Sequence, residues 1–190
     1  GRSGTTLLSV ILNAHPDVYC GEEEDLLRQQ KSSLRGIAEL HDVDTGQLRQ
    51  LASGSTNYWQ FTEQVIRVVQ QRTDTDVFVT KNPSYIFDLS TIFRVFPNAR
   101  FIHMYRDGRD VAVSMRENPN HVGVRYDATY EEDGLLSPRY CAHTWRTFIN
   151  AFRTFQTDDR AYAVAYEDLV TNPAETARLL CTFLDIEFHP

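Results

Sequence analysis

Cysteine is scarce in this chain, and long apolar runs are missing altogether. A helix that spans a bilayer needs about 20 consecutive apolar residues, and no stretch approaches that length. No secretory leader is visible. The three cysteines, Cys20, Cys141 and Cys181, are widely spaced and form no C-x-x-C pair. That excludes a zinc-ribbon or dithiol redox motif and predicts buried free thiols. No Asn-x-Ser/Thr sequon has a permitted middle residue, which argues against a glycosylated luminal protein. Positive charge is in deficit: 19 Lys and Arg stand against 26 Asp and Glu, for a net charge of −7. This disfavours non-specific nucleic-acid binding but leaves room for local basic pockets. What remains is ordinary globular composition, 42% hydrophobic and 24% charged over 190 residues, enough for one domain with one core.

The stretch richest in information is the first. Gly1-Arg2-Ser3-Gly4-Thr5-Thr6 runs directly into Leu7-Leu8-Ser9-Val10-Ile11-Leu12. Glycine lets the backbone turn tightly, so that consecutive N–H groups point at one anion. A helix beginning near Thr5 adds its unpaired N–H groups and the positive end of its dipole. The combination predicts a phosphate cradle at a helix N-terminus. Such a loop ordinarily follows a buried strand, and here it begins at residue 1, so the expectation is a fragment that lacks its first strand. A nucleoside-triphosphate loop, G-x-x-x-x-G-K-[ST], needs a lysine after its second glycine. Here Thr5 and Thr6 follow Gly4 and the cation, Arg2, precedes it, which suits one phosphate better than three.

Further along, periodicity predicts a helix over 5–14 ended by His15-Pro16, a short extended piece at 18–21, and a helix opening at Glu22-Glu23-Glu24-Asp25. Residues 31–57 read as a polar surface excursion or lid with helical pieces at 34–41 and 45–52. A helix over 58–72 follows. Strands are expected at 77–79, 100–105 and 162–166, and helices at 86–96, 107–116, 139–155 and 173–184. Residues 117–137 read as a long loop. Strand, loop and helix repeat in order, which predicts an α/β domain: a parallel sheet with helices on both faces. Ligands in such sheets bind beyond the carboxyl ends of the strands. The loops there carry Arg2, Lys81, Arg106 and Arg109, four cations in an acidic protein, and so predict a polyanion site.

Four segments in order, G-R-S-G-T-T-L-L, K-N-P, F-P-N-A-R-F-I-H-M-Y-R-D-G-R-D-V-A-V-S-M and A-Y-E-D-L-V-x-N-P, resemble the sulfotransferases that use 3′-phosphoadenosine 5′-phosphosulfate (PAPS). The match covers nearly the whole chain, so the resemblance implies one sulfotransferase domain over 1–190 with the P-loop-like fold of that family. It implies that Arg2, Ser3, Gly4, Thr5 and Thr6 bind the 5′-phosphosulfate, that Arg106 and Ser114 hold the 3′-phosphate, and that Lys81 offsets charge on the transferring group. Arg suits this role through bidentate, charge-assisted bonds to phosphate. PAPS is then the co-substrate, with no metal required.

The acceptor hydroxyl still needs a base. In the cytosolic small-molecule branch a His lies two residues after the strand-end Lys; here that residue is Pro83. His15-Pro16-Asp17-Val18-Tyr19-Cys20-Gly21-Glu22-Glu23 is instead similar to the H-P-x-V-x-C-G-E-E of tyrosylprotein sulfotransferases, which assigns the base to Glu23. A carboxylate serves as a base where desolvation raises its pKa. The chain departs from that branch at Val79, where the branch has a Cys that pairs with the Cys of C-G-E-E, and at Asn82, where it has Asp. These departures suit a bacterial or otherwise non-luminal relative, and the cytoplasm is preferred to the Golgi lumen. The acceptor stands between a peptide tyrosine, a carbohydrate and a small-molecule hydroxyl. Two other readings compete: a P-loop nucleotide kinase and an inactive anion-binding module. His103, Phe93, Phe96, Phe101 and the stripe Trp145, Phe148, Phe152 and Phe155 read as packing. Tyr166-Glu167-Asp168 reads as structural, and Arg109 is left between the 3′-phosphate and the neighbouring acids Asp107 and Asp110.

Overall fold

In the computed structural model the described residues are 2–28, 33–118, 130–131 and 134–189. The chain divides into two compact units. One comprises Gly1–Thr5, Asn98–Phe188 and Pro190; the other comprises Thr6–Pro97 and His189.

The Thr6–Pro97 unit carries most of helix α1 (Thr5–Asn13), then β1 (Val18–Glu23), α2 (Leu34–His41), α3 (Thr45–Gly54), α4 (Tyr58–Thr73), β2 (Val77–Lys81), a 3-10 turn at Pro83–Phe87 and α5 (Leu89–Val95). β1 and β2 pair in parallel. α2, α3 and α4 start on side-chain caps, Ser33, Asp44 and Asn57, each accepting a backbone N–H from the first turn. α2 and α4 end on Asp42 and Asp74 in the left-handed region, φ 51° and 53°. Aspartate tolerates that conformation better than most residues. The core is built from Leu26, Ile37, Val43, Leu48, Phe61, Val65 and Val69. The polar excursion carries helices where the sequence predicts them, and one face of each is buried.

The other unit holds β3 (Phe101–Tyr105), α6 (Gly108–Glu117), α7 (Pro138–Arg153), β4 (Ala161–Ala165), α8 (Tyr166–Thr171) and α9 (Pro173–Leu184). β3 and β4 are parallel and in register from Phe101↔Ala161 to Tyr105↔Ala165. α6 and α7 close over Val111, Met115, Leu136 and Cys141. The α/β class with parallel strands and flanking helices is as the sequence predicts.

Two local expectations are corrected. Glu22 and Glu23 belong to β1, and no helix opens at the acidic run. The Glu24 N–H bonds to the Lys81 carbonyl at 3.1 Å, so pairing with β2 outcompetes the dipole preference of the acids. The stretch expected as one helix over 86–96 is a 3-10 turn followed by α5, because Asn82 and Pro83 start a turn before Leu89. Most of the expected 117–137 loop lies outside the described residues. Cys141 and Cys181 are buried and free as expected, but Cys20 is only half-buried. No helix among the described residues is long and apolar enough to cross a membrane.

Candidate active site

The residues that the sequence assigns to the nucleotide phosphates in the Asn98–Phe188 unit begin at its N-terminal loop. Arg2 and Gly4 both adopt positive φ, 70° and 89°. This is where glycine is needed at position 4: a Cβ there would lie 2.9 Å from Tyr166 Cε2 and closer still to Cδ2. The loop thus rests directly on the Tyr166 ring. From this platform Arg2 reaches α6, where its Nε donates to Ser114 Oγ at 3.0 Å. A residue assigned to the 5′-phosphosulfate and a residue assigned to the 3′-phosphate are brought into direct contact.

Arg106 follows the last residue of β3 and meets the same Tyr166 ring. Its guanidinium lies 4.4 Å from the Tyr166 ring centroid, a cation–π contact. Its Nη2 meets Asp110 at 3.1 Å, while its Nε is buried with no partner among the described residues. A buried guanidinium N–H without an acceptor is unfavourable in a protein interior. The backbone here is fixed on both sides: Trp145 Nε1 donates to the Arg106 carbonyl at 3.0 Å, and the Asp107 N–H donates to Glu167 at 3.0 Å. Glu167 thus ties the β3–α6 loop down, the structural role expected for Tyr166-Glu167-Asp168.

Arg109 pairs with Asp107, one of the two acids named for it, through Nε and Nη2 at 3.0 and 2.6 Å. The same Asp107 carboxylate caps α6 at Arg109 N. These hydrogen bonds from Arg109, side chain first, hold the Asp107 carboxyl down at about 2.

In the Thr6–Pro97 unit, Glu23 and Lys81 sit opposite each other across β1 and β2. The two residues assigned to proton removal and charge offset are neighbours. Lys81 Nζ donates to Ser9 Oγ at 2.9 Å, and that hydroxyl donates to the Thr6 carbonyl at 2.9 Å. Ser9 is buried on α1 and so orients the ammonium. Glu23 is exposed. Cys20 faces Val79 in register, the position where a second cysteine would have bridged it. Burial raises the Cys20 thiol, and the Lys81 ammonium opposes this in part.

Ser3 and Thr5 belong with Arg2, Gly4, Arg106 and Ser114 in one unit; Thr6 belongs with Glu23 and Lys81 in the other. Sequence reasoning passed over Ser9, Glu24 and His41. Ser9 lies on the apolar run that follows the loop, one turn past Thr5, and that spacing was the available signal. Glu24 and His41 carried no signal at all. His15, Asp17 and His189 offer three ligand atoms within 4.8 Å of one another. His15 Nδ1 accepts the Asp17 N–H at 3.1 Å, which puts the ring proton on Nε2. A metal would have to break that bond.

Comparison with known proteins points one way. A family model described as the sulfotransferase family matches residues 1–190. Protein-tyrosine sulfotransferase 1 of Danio rerio is 30% identical over 195 residues, covering 99% of this chain and 52% of the relative. The protein-tyrosine sulfotransferase of Drosophila melanogaster is 30% identical over 206 residues, covering 99% and 37%. The chain spans about half the length of the curated relatives it matches. Among solved structures, the sulfotransferase domain from the Synechococcus PCC 7002 olefin synthase superposes with a TM-score of 0.71 at 23% identity, covering 99% of this chain and 71% of that one. The sulfotransferase domain from the curacin biosynthetic pathway gives 0.67 at 23% identity, covering 100% and 72%.

Proposed function

The chain belongs to the sulfotransferase family, and from that premise we propose that it transfers a sulfuryl group from PAPS to an acceptor hydroxyl, with a peptide tyrosine as the preferred acceptor. The observation that carries the reading is the Arg2–Ser114 contact, together with Arg106, which stacks on the Tyr166 ring that Gly4 also meets and whose Nε has no partner among the described residues. Two segments separated by 112 positions meet there, and a cation and a hydroxyl brought together in this way support an anion site.

The residues fit the donor. The 5′-phosphosulfate is assigned to Arg2, Ser3, Gly4, Thr5 and Thr6, the residue types that suit a phosphate at a helix start. Arg106 and Ser114 take the 3′-phosphate and so discriminate a 3′-phosphorylated nucleotide. The acceptor oxygen attacks sulfur in line with the leaving phosphate oxygen. One S–O bond forms as the S–O bond to the 5′-phosphate breaks, and 3′,5′-ADP leaves. Glu23 takes the acceptor proton. Lys81, held by Ser9, offsets charge on the transferring group and the leaving oxygen. Sulfuryl transfer resembles phosphoryl transfer in depending chiefly on positioning and electrostatics. A tyrosine acceptor is supported by the protein-tyrosine sulfotransferases among the relatives.

Calorimetry with 3′,5′-ADP and with ATP tests the donor; tighter binding of ATP with dependence on Mg²⁺ would favour a kinase instead. Mass-spectrometric detection of an added SO₃ on tyrosine peptides, sugars and phenols incubated with PAPS tests the reaction and its acceptor. Labelled sugars or phenols with unlabelled peptides would move the acceptor to those classes. Nucleotide binding without any product would leave an anion-binding module.

A further inference from the structure

Between its paired ends, β1 carries more chain than β2. Cys20 lies opposite Val79 and Glu23 opposite Lys81, so the register shifts within the stretch. An irregularity of this kind re-aims the side chains it carries and needs support, because it interrupts the ladder. Glu23 depends on that support. Its carboxylate is exposed, and no hydrogen bond among the described residues holds it. Its direction is set by the backbone on either side.

Both flanks of the stretch are held by one imidazole. His41, the last residue of α2, has a side chain only 1% exposed. Its Nε2 lies 2.9 Å from Glu24 Oε2, and its Nδ1 lies 3.0 Å from the Tyr19 hydroxyl. The imidazole thus bridges Glu24 and the Tyr19 hydroxyl, and that hydroxyl also reaches the Leu40 carbonyl at 3.5 Å. The ring also packs on the irregular stretch itself: a Cβ at Gly21 would lie 3.5 Å from His41 Cε1. Phe78 of β2 sits against both rings, with centroids 5.6 Å from Tyr19 and 5.5 Å from His41. The Glu24 backbone is fixed as well, since its carbonyl accepts from Asn82 Nδ2 at 3.0 Å and from the Tyr85 hydroxyl at 2.8 Å.

Stability alone does not account for this arrangement. The Glu24 side chain is 2% exposed, and its Oε1 is buried with no partner among the described residues. An inward carboxylate short of one bond opposes folding. Position does account for it. We infer that Tyr19, His41 and Glu24 are positioning residues, a brace across the irregular stretch of β1 that sets the direction of the Glu23 carboxylate beside Lys81. The inference rests on the reading of Glu23 as the base.

The test compares His41→Ala, Tyr19→Phe, Glu24→Gln, Glu23→Gln and the double variant Glu23→Gln/His41→Ala. Three quantities are measured: transfer of labelled sulfuryl from PAPS to a tyrosine peptide, affinity for 3′,5′-ADP, and amide hydrogen exchange over residues 19–24. A brace predicts that His41→Ala lowers kcat about 10- to 100-fold, with 3′,5′-ADP affinity held within about twofold. It predicts faster exchange at 20–24 and no further loss when the change is added to Glu23→Gln. Glu24→Gln keeps an acceptor for Nε2 and retains most activity. Exchange needs no acceptor substrate, so unchanged amides in both His41→Ala and Tyr19→Phe overturn the brace by themselves. If Glu23→Gln is inactive while the brace variants turn over normally, the base reading stands and the brace falls. If Glu23→Gln turns over normally, the base reading fails first and the positioning role falls with it.

Discussion

Replacing Gly4 by alanine puts the geometry of the anion loop to a direct test. At φ 89° an alanine is strained, and a residue held in such a region costs about 1–3 kcal/mol. The new Cβ also enters the Tyr166 ring, 2.9 Å from Cε2. That ring is held by the Arg106 guanidinium at 4.4 Å, and overpacking of this kind costs about 1–3 kcal/mol. Together the two effects amount to about 2–6 kcal/mol, against a whole-domain stability of about 5–15 kcal/mol. For a chain of this size the melting temperature should fall by about 5–20 °C. Any relief obtained by moving the loop displaces Arg2 from Ser114, so 3′,5′-ADP should bind at least tenfold more weakly, the equivalent of about 1.4 kcal/mol. Thermal melts and calorimetry on the same preparation read both numbers. A second change, Tyr166→Ala, separates the two contributions. In the Gly4→Ala background it should recover the packing part of the lost stability and leave the backbone part. An alanine variant that melts with the parent and binds the nucleotide equally well would refute the placement of the loop on Tyr166.

Other expectations follow from single contacts. Ser9→Ala removes the acceptor that orients Lys81; turnover should fall about tenfold with nucleotide affinity little changed, the magnitude of one hydrogen bond to a charged group. Ser114→Ala should weaken 3′,5′-ADP more than adenosine 5′-phosphate, and equal losses for the two nucleotides would remove Ser114 from the 3′-phosphate. His103 is buried and stacked on Phe152 at 4.3 Å, and burial pushes it down to about 4 from 6.5. The unfolded chain then takes up the proton first, so stability should decline as pH falls from about 6.5 to about 4. In His103→Phe that part of the slope should vanish from denaturant melts. Asp107 has the opposite chemistry, with its carboxyl lowered from 3.8 to about 2 by Arg109. Its contribution to capping α6 is present above about 4 and is lost as pH falls toward about 2, which carboxyl-carbon NMR titration would follow.

The tight turn at Gly4 could be read from residues alone because its constraints are local. Glycine at position 4, hydroxyl residues on either side and an apolar run after them act over one turn of chain, and Gly4 does adopt positive φ. The strands at 101–105 and 161–165 were legible for the same reason: short apolar runs bounded by turn residues. The acidic run at 22–25 was not legible as a strand end. A dipole preference is worth a few tenths of a kcal/mol to about 1 kcal/mol, and a strand partner more than fifty positions away overrode it at Glu23↔Lys81.

Chemistry at each position, then, belonged to the primary structure: which residues are cationic, which can turn tightly, which can donate to phosphate. Tertiary packing chose among equals. Three consecutive glutamates are alike in sequence, yet Glu23 faces out and Glu24 is buried against His41, 17 positions further on. Ser9 and Lys81 meet across 72 positions, and Arg2 and Ser114 across 112. Backbone preferences decay within a turn, whereas the environment of a side chain is set by whatever the rest of the chain packs against it.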